Sequence, residues 1–156
     1  MTSDDIPIVA KDFSIIDLDR DGVPEVVLRL AVMEDGNDEI GFVILRYENG
    51  QVWGYAIGHR SFLDLKADGS FGFSSGAADW GFGTITLSED GYEIDRITYC
   101  ESVQDSEHSE EFYFVDYERA SEKKFQAAVD EHNDKENAAW YDLTSENVAA
   151  QLEVKG

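Results

Sequence analysis

Between Phe13 and about Tyr117 the chain alternates short apolar runs with turn-forming residues. The runs are rich in β-branched and aromatic side chains, and they are separated by dipeptides typical of turns: Asp35-Gly36, Asn49-Gly50, Asp68-Gly69 and Asp90-Gly91. Because Asn-Gly suits the two left-handed positions of a type I′ turn, the strongest hairpin prediction joins residues 42–47 to residues 52–57. Short strands joined by tight turns predict an antiparallel β-meander of about seven to nine strands.

A different periodicity begins after Ser121, where apolar residues recur at helical spacing. One helical face, ending near residues 133–134, is formed by Phe125, Ala128, Val129 and His132. Ser121 and Thr144 are suited to cap this helix and a second one, which carries Val148, Ala149 and Leu152 on one face. Strands followed by helices predict an α+β fold in a single domain over residues 1–156, strand-rich at 13–117 and helical at 121–152, with the helices packed on the meander.

The predicted core joins one face of the strands to the apolar face of the first helix. Its members are Phe13, Ile15, Val27, Val43, Leu45, Phe62, Leu65, Ile85, Ile97, Phe125, Val129 and Trp140. With 156 residues and 42% hydrophobic residues, the chain has enough apolar surface for one such core.

The net charge of the chain limits the classes of partner that it can bind. Lysine and arginine number 12 against 34 aspartates and glutamates, which gives a formal net charge of −22. A nucleic-acid or anionic-membrane binder needs a cationic surface, so we predict neither a nucleic-acid partner nor membrane insertion. A single cysteine, Cys100, cannot form an internal disulfide or a multi-cysteine zinc site. Residues 1–5 show no basic segment followed by an apolar one, so no signal peptide is predicted in this chain.

The strongest chemical signal is an aspartate-rich loop between two apolar runs. Asp17, Asp19 and Asp21 alternate, Gly22 follows, and Glu25 stands at the ninth position counted from Asp17. Calcium prefers six to eight oxygen ligands, and alternating carboxylates on a tight loop can converge on one ion. The carbonyl oxygen of Val23, at the seventh position, can add another ligand. The spacing therefore predicts a calcium site formed by Asp17, Asp19, Asp21, Val23 and Glu25.

In its first nine positions this loop resembles the EF-hand calcium loop. It departs at position twelve, where Leu28 replaces the bidentate glutamate of that family. Because apolar, strand-like runs flank the loop, it is also similar to the calcium loops of integrin-type propeller repeats, in which an acid at position nine closes the shell. The chain carries one copy of the loop and no internal repeat, so a multi-bladed propeller is not predicted.

A longer stretch of the chain resembles a signature of uncharacterised bacterial proteins, many of them secreted or lipid-anchored. The signature combines the Asp-x-Asp-x-Asp-Gly-x-Pro-Glu loop with residues 55–66 and the late Trp140-Tyr141-Asp142. The resemblance implies an extracytoplasmic protein with a structural calcium ion, and it implies no activity.

A second candidate site lies in the glycine-rich segment of residues 68–83. Ser74, Ser75, Asp79 and Trp80 are its candidate ligand-binding residues, with a carbohydrate as the candidate ligand on an aromatic platform. The alternative, which we favour, is a long irregular connection between strands, whose glycines meet backbone constraints and whose aromatic residues fill the core.

Three hypotheses of function follow from the sequence. The first is a non-catalytic, extracytoplasmic calcium-binding or structural module in which the metal rigidifies the first hairpin. The second is a cytoplasmic acidic interaction protein, of the immunity-protein or DNA-mimic type, that covers a basic partner protein; the acid-rich segment of residues 101–122 supports it. The third and weakest is a small hydrolase with a metal in the aspartate loop. Because no nucleophile or general base can be assigned, we predict no catalytic residues and no enzyme.

Overall fold

A computed structural model describes residues 8–32, 39–76, 79–104 and 107–151. In chain order its elements are β1 (Ile8–Ile16), β2 (Glu25–Val32), β3 (Glu39–Glu48), β4 (Gln51–Gly58), a short 3-10 helix (His59–Ser61), β5 (Phe71–Gly76), β6 (Asp79–Ser88), β7 (Gly91–Gln104), β8 (Ser109–Val115), β9 (Glu118–Ala120), α1 (Glu122–Asn133), β10 (Tyr141–Asp142) and α2 (Ser145–Gln151). None of the helices in these ranges is long and apolar enough to span a membrane.

The strands form two antiparallel five-stranded sheets. The first has the order β10-β1-β2-β3-β4, and the second has the order β5-β6-β7-β8-β9. The prediction of antiparallel strands is confirmed, and the described ranges contain nine strands before α1, within the predicted number. These strands form two sheets and not one meander, and a tenth strand, β10, lies between the two helices. The break occurs after β4, where His59–Ser61 turns into a 3-10 helix and Phe62 enters the core, which stops the first meander.

Local sequence signals explain the turns and caps. Asn49 and Gly50 join β3 to β4 with φ angles of 54° and 78°, the left-handed pair that a type I′ turn requires. Ser121 caps α1 by accepting a hydrogen bond from the Lys124 amide at 3.1 Å, and Thr144 accepts one from the Asn147 amide at 3.1 Å. The predicted turn at residues 35–38 and Leu152 of the predicted second helix lie outside the described residues.

The glycine-rich segment contains strands β5 and β6, so an irregular connection is wrong there, but Phe71 and Phe73 are buried as predicted. Its glycines are needed where β7 approaches closely. A Cβ atom at Gly81 would clash with the Thr98 carbonyl, and one at Gly83 would clash with the Asp95 carbonyl, beside the bulge at Phe82 and Gly83. The glycines at these positions are therefore required by the close packing of the strands.

One hydrophobic cluster is shared by both sheets. Residues Ile16, Leu18, Val27, Phe42, Ile44, Tyr55 and Ile57 come from the first sheet and its loop, and Phe71, Ile85 and Leu87 come from the second. A second cluster lies between the second sheet and α1, and contains Cys100, Val115, Phe125 and Val129. The aspartate loop is thus attached to the shared core through Leu18, which is 1% exposed.

The predicted core is partly confirmed. Phe13, Val27, Phe62, Leu65, Ile85, Phe125 and Val129 are buried, whereas Ile15, Val43, Leu45, Ile97 and Trp140 are only half-buried. In β3 the prediction chose the wrong face, because Phe42 and Ile44 point inward instead of Val43 and Leu45. Both faces of β3 are apolar, so its alternation does not distinguish them.

Candidate metal centre

The aspartate loop connects the end of β1 to the start of β2, which pair with each other up to the loop. Ile16 ends β1 opposite Glu25, the first residue of β2, so residues 17–24 close a short loop over this pair. Arg20 and Gly22 have φ angles of 60° and 90°, and these two left-handed residues fold the loop tightly. The register of the two strands thereby brings position nine of the loop next to positions one to five.

The aspartate side chains fold the loop by accepting hydrogen bonds from its backbone. Asp17 accepts from the Asp21 amide at 3.2 Å and from the Gly22 amide at 2.9 Å. Asp21 accepts from the Val23 amide at 2.8 Å. Such turns made by short acidic side chains hold the carboxylates on the inner side of the loop.

Glu25 is buried inside this loop. Its side chain is 1% exposed, because it lies on the same inward face of β2 as Val27. Its Oε2 accepts a hydrogen bond from the Leu18 amide at 2.7 Å. Its Oε1 has no hydrogen-bond partner among the described residues. A buried carboxylate oxygen without a partner lowers the stability of the fold, since a buried charge is normally paired or bound to a metal.

The structure brings together four of the five predicted ligands. Asp17, Asp19, Asp21 and Glu25 each offer a ligand atom, and these atoms lie within 4.8 Å of one another. Calcium binds oxygen at about 2.3–2.6 Å, so ligands on opposite sides of one ion are about 5 Å apart. The four oxygens can therefore lie on a single calcium shell. Val23, the fifth predicted ligand, lies in the same loop with its side chain 47% exposed.

Crowding within the acidic cluster shows in the pKa values of Glu25 and Asp19. Burial, together with the neighbouring Asp19, Asp21 and Asp17, raises the pKa of Glu25 to about 7, although the Leu18 amide acts against the shift. Burial and the Asp21 carboxylate raise the pKa of Asp19. The pKa of Asp21 is lowered, chiefly by the hydrogen bond from the Val23 amide. A cation would relieve this repulsion.

Arg46 supplies one positive charge beside the loop. Its Nε lies 3.8 Å from the Asp19 carboxylate, its Nη2 lies 4.0 Å from Asp21 and 3.2 Å from Glu48, and its Nη1 donates to the Leu87 carbonyl at 2.9 Å. Four ionised carboxylates and one guanidinium leave three negative charges around the loop; a divalent ion would reduce them to one. Arg46 also attaches the loop to β6 of the second sheet.

A turn at residues 66–70 packs against the loop. Gly69 has a φ angle of 91°, and a Cβ atom there would lie 3.0 Å from the Asp17 carbonyl oxygen. Asp68, in the same turn, accepts from the Ser70 amide at 2.9 Å and from Lys135 Nζ at 2.8 Å. The loop is therefore packed against a turn that is itself fixed to the chain after α1.

The second candidate site is only partly assembled. Ser74 and Trp80 line one cavity, whereas Asp79 accepts hydrogen bonds from the Ser102 amide at 3.1 Å and from Ser102 Oγ at 2.8 Å. The exposed Ser75 donates to the Asp79 carbonyl at 3.3 Å. Asp79 and Ser75 thus serve to join neighbouring strands.

Sequence reasoning missed Arg46 and Gly69 as parts of the metal centre. Arg46 follows Phe42 and Ile44 on the inward face of β3, and a charged residue at an inward position is a signal of a buried partner. Gly69 lies more than 40 residues from the loop, and its local sequence gives no such signal. Comparison of the chain with protein-family models, curated proteins and solved structures finds no match.

Proposed function

We propose that this protein is a non-catalytic calcium-binding module of an extracytoplasmic bacterial protein, in which the metal rigidifies the first hairpin. The single observation that carries the proposal is Glu25 Oε1, a buried carboxylate oxygen without a hydrogen-bond partner among the described residues, within a cluster of four acids. Water-exposed acidic turns are common, but Glu25 is 99% buried, and a buried carboxylate is costly unless a cation pairs with it.

The chemistry of the donors favours calcium. All are oxygen atoms, which excludes a soft metal that prefers sulfur or imidazole. The equivalent of the twelfth EF-hand position is Leu28, a half-buried strand residue of β2, so the bidentate ligand of an EF-hand is missing. Fewer ligands imply an affinity in the range of about 10⁻⁴–10⁻³ M that is usual for extracellular modules. Such a site fills where calcium is millimolar, which supports the extracytoplasmic assignment.

A metal in this loop would act on more than the hairpin. It would bind the end of β1 to the start of β2, and Arg46 links the same loop to the Leu87 carbonyl of the second sheet. Ordering the loop would therefore fix the junction of the two sheets. This is a structural role and requires no reacting group.

Calorimetric titration with CaCl₂ tests the proposal. We expect saturable binding to the wild-type protein and an affinity at least about tenfold weaker for Asp19→Asn, because one charged ligand is lost. Asp90→Asn, which makes the same change of charge in the exposed turn between β6 and β7, should bind as the wild type does. Equal binding by the Asp19 and Asp90 variants, or no binding by any of them, contradicts the proposal.

A second candidate function, an acidic interaction protein, is favoured by the surface around β7, β8 and β9. Six acids there are exposed: Glu107, Glu110, Glu111, Asp116, Glu118 and Glu122. Arg119 is the only lysine or arginine from residue 101 to residue 122, and its guanidinium carbon lies 4.3 Å above the Phe112 ring. This surface could cover a basic protein, as an immunity protein does.

We expect such a partner to be a basic protein encoded beside this one, with salt-sensitive affinity. Between about 50 and 200 mM salt the affinity should fall severalfold, since exposed charges are screened. Glu110→Gln combined with Glu111→Gln should weaken binding, whereas Glu89→Gln combined with Asp90→Asn should not. Salt-independent binding, or equal loss in both double variants, contradicts this function. Its failure leaves the calcium proposal untouched.

A further inference from the structure

His132 is a buried polar side chain that the metal centre does not use. It is 4% exposed, and neither Nδ1 nor Nε2 has a hydrogen-bond partner among the described residues. Its ring stacks on Phe82 with a centroid distance of 4.1 Å and an interplanar angle of 6°. The Phe82 ring covers one face of the imidazole, but it cannot bond the two nitrogens at the ring edge.

The unpartnered ring borders open space. His132 and Phe82 line a cavity of about 480 Å³ between the second sheet and α1, together with Trp80, Asp64, Ser74 and Gln126. They also line a second cavity of about 270 Å³. The larger volume falls within the range of about 300–1,000 Å³ usual for small-molecule sites, which combine apolar walls with a few polar groups.

Burial and the nearby Lys135 and Lys66 lower the pKa of His132 to about 4, so the ring is neutral at physiological pH. A neutral imidazole has one N–H donor and one acceptor. The group that can satisfy either nitrogen in either tautomer is a hydroxyl, which both donates and accepts. A carboxylate could pair with only one nitrogen, and it would meet the Asp64 carboxylate that lines the same cavity.

We propose that this cavity binds a small neutral polyol, of the mono- or disaccharide class, with its hydroxyl groups on His132 and its C–H face against the aromatic wall. Trp80 and Phe82 supply apolar surface for the ring carbons. Asp64, Ser74 and Gln126 add side chains that can bond further hydroxyls. The cavity shares no lining residue with the acidic cluster, so the sugar site and the calcium site can be tested independently.

The imidazole ¹⁵N signals of the full chain test this proposal directly. The protein has three histidines, so the His132 signals can be assigned with single variants. The probes are glucose, galactose, mannose, N-acetylglucosamine and maltose, each titrated into the high millimolar range. We expect at least one sugar to shift the His132 ring signals saturably and to leave those of His108, an exposed residue that does not line the cavity, unchanged.

His132→Phe keeps the stacking surface and removes both nitrogens. We expect it to fold at least as stably as the wild type and to bind the sugar at least about tenfold more weakly. The matched control, His108→Phe, should bind normally. If His132→Phe does not fold, Gln126→Ala at the exposed rim replaces it and should weaken binding. The proposal is overturned if the His132 signals do not shift with any of the five sugars, which would mean that water alone fills the cavity. It is also overturned if a folded His132→Phe, or Gln126→Ala in its place, binds the sugar as tightly as the wild type does.

Discussion

Replacing Glu25 with glutamine should raise the free energy of unfolding of the calcium-free protein by about 3 kcal/mol at pH 8, because a pKa raised from 4.5 to about 7 corresponds to roughly that energy. Glutamine keeps the shape of the side chain and an oxygen that can accept the hydrogen bond from the Leu18 amide. It removes the buried negative charge that the three aspartates repel.

The sign of the pH dependence follows from the direction of this shift. In the folded protein Glu25 holds its proton up to about pH 7, whereas the unfolded chain releases it near 4.5. The folded state therefore binds more protons between these values. The contribution of Glu25 to the free energy of unfolding is therefore fully present below pH 4.5 and is lost as the pH rises through 7. Glu25→Gln should remove this decline.

Urea unfolding in the presence of a chelator, at half-unit steps from pH 5 to pH 8, measures both effects. Glu89→Gln, in the exposed turn before β7, makes the same chemical change away from the loop and should follow the wild-type profile. Parallel profiles for the wild type and Glu25→Gln would show that Glu25 is not strained by burial, and they would remove the main support for a cation in this loop.

Calcium should stabilise the wild-type protein by about as much as the ionised Glu25 side chain destabilises the calcium-free protein. At a concentration one hundred times the dissociation constant, a ligand of the native state adds about 2.7 kcal/mol, which corresponds to a rise of about 5–10 °C in Tm for a domain of this size. The effect should grow between about pH 5 and pH 7, because Glu25 must release its proton to bind the metal.

Thermal unfolding in CaCl₂, with NaCl of equal ionic strength as the reference, separates binding from screening of the net charge of −22. Asp19→Asn and Glu25→Gln should each lose about half of the rise or more, and Asp90→Asn should keep it. An equal rise in all four proteins would mean that calcium acts only as a screening ion.

The parts of the fold that the sequence predicts are those with a local cause. Asn49-Gly50 determines its turn by its own backbone preference, and Ser121 caps α1 with its own hydroxyl. The aspartate loop belongs to the same class. Its spacing is sufficient to converge Asp17, Asp19 and Asp21, since their side chains accept hydrogen bonds within the loop itself.

What the sequence does not predict depends on contacts between distant segments. The choice of face in β3 requires knowledge of what packs on Phe42, namely Phe62 at a centroid distance of 5.0 Å. The position of Arg46 beside Asp19 requires the pairing of β2 with β3. The strands of the glycine-rich segment form because Gly81 and Gly83 admit a neighbouring strand, a steric fact without a local signature.

The proposed metal site requires the oxygens of Asp17, Asp19, Asp21 and Glu25 to surround one divalent ion. A crystal structure of the protein grown in millimolar CaCl₂, with anomalous scattering measured to identify the metal, tests it most directly. We expect a calcium peak about 2.3–2.6 Å from these carboxylates, with Oε1 of Glu25 among the ligands. Density for water alone at that position, or the Arg46 guanidinium inserted between the carboxylates, would contradict it.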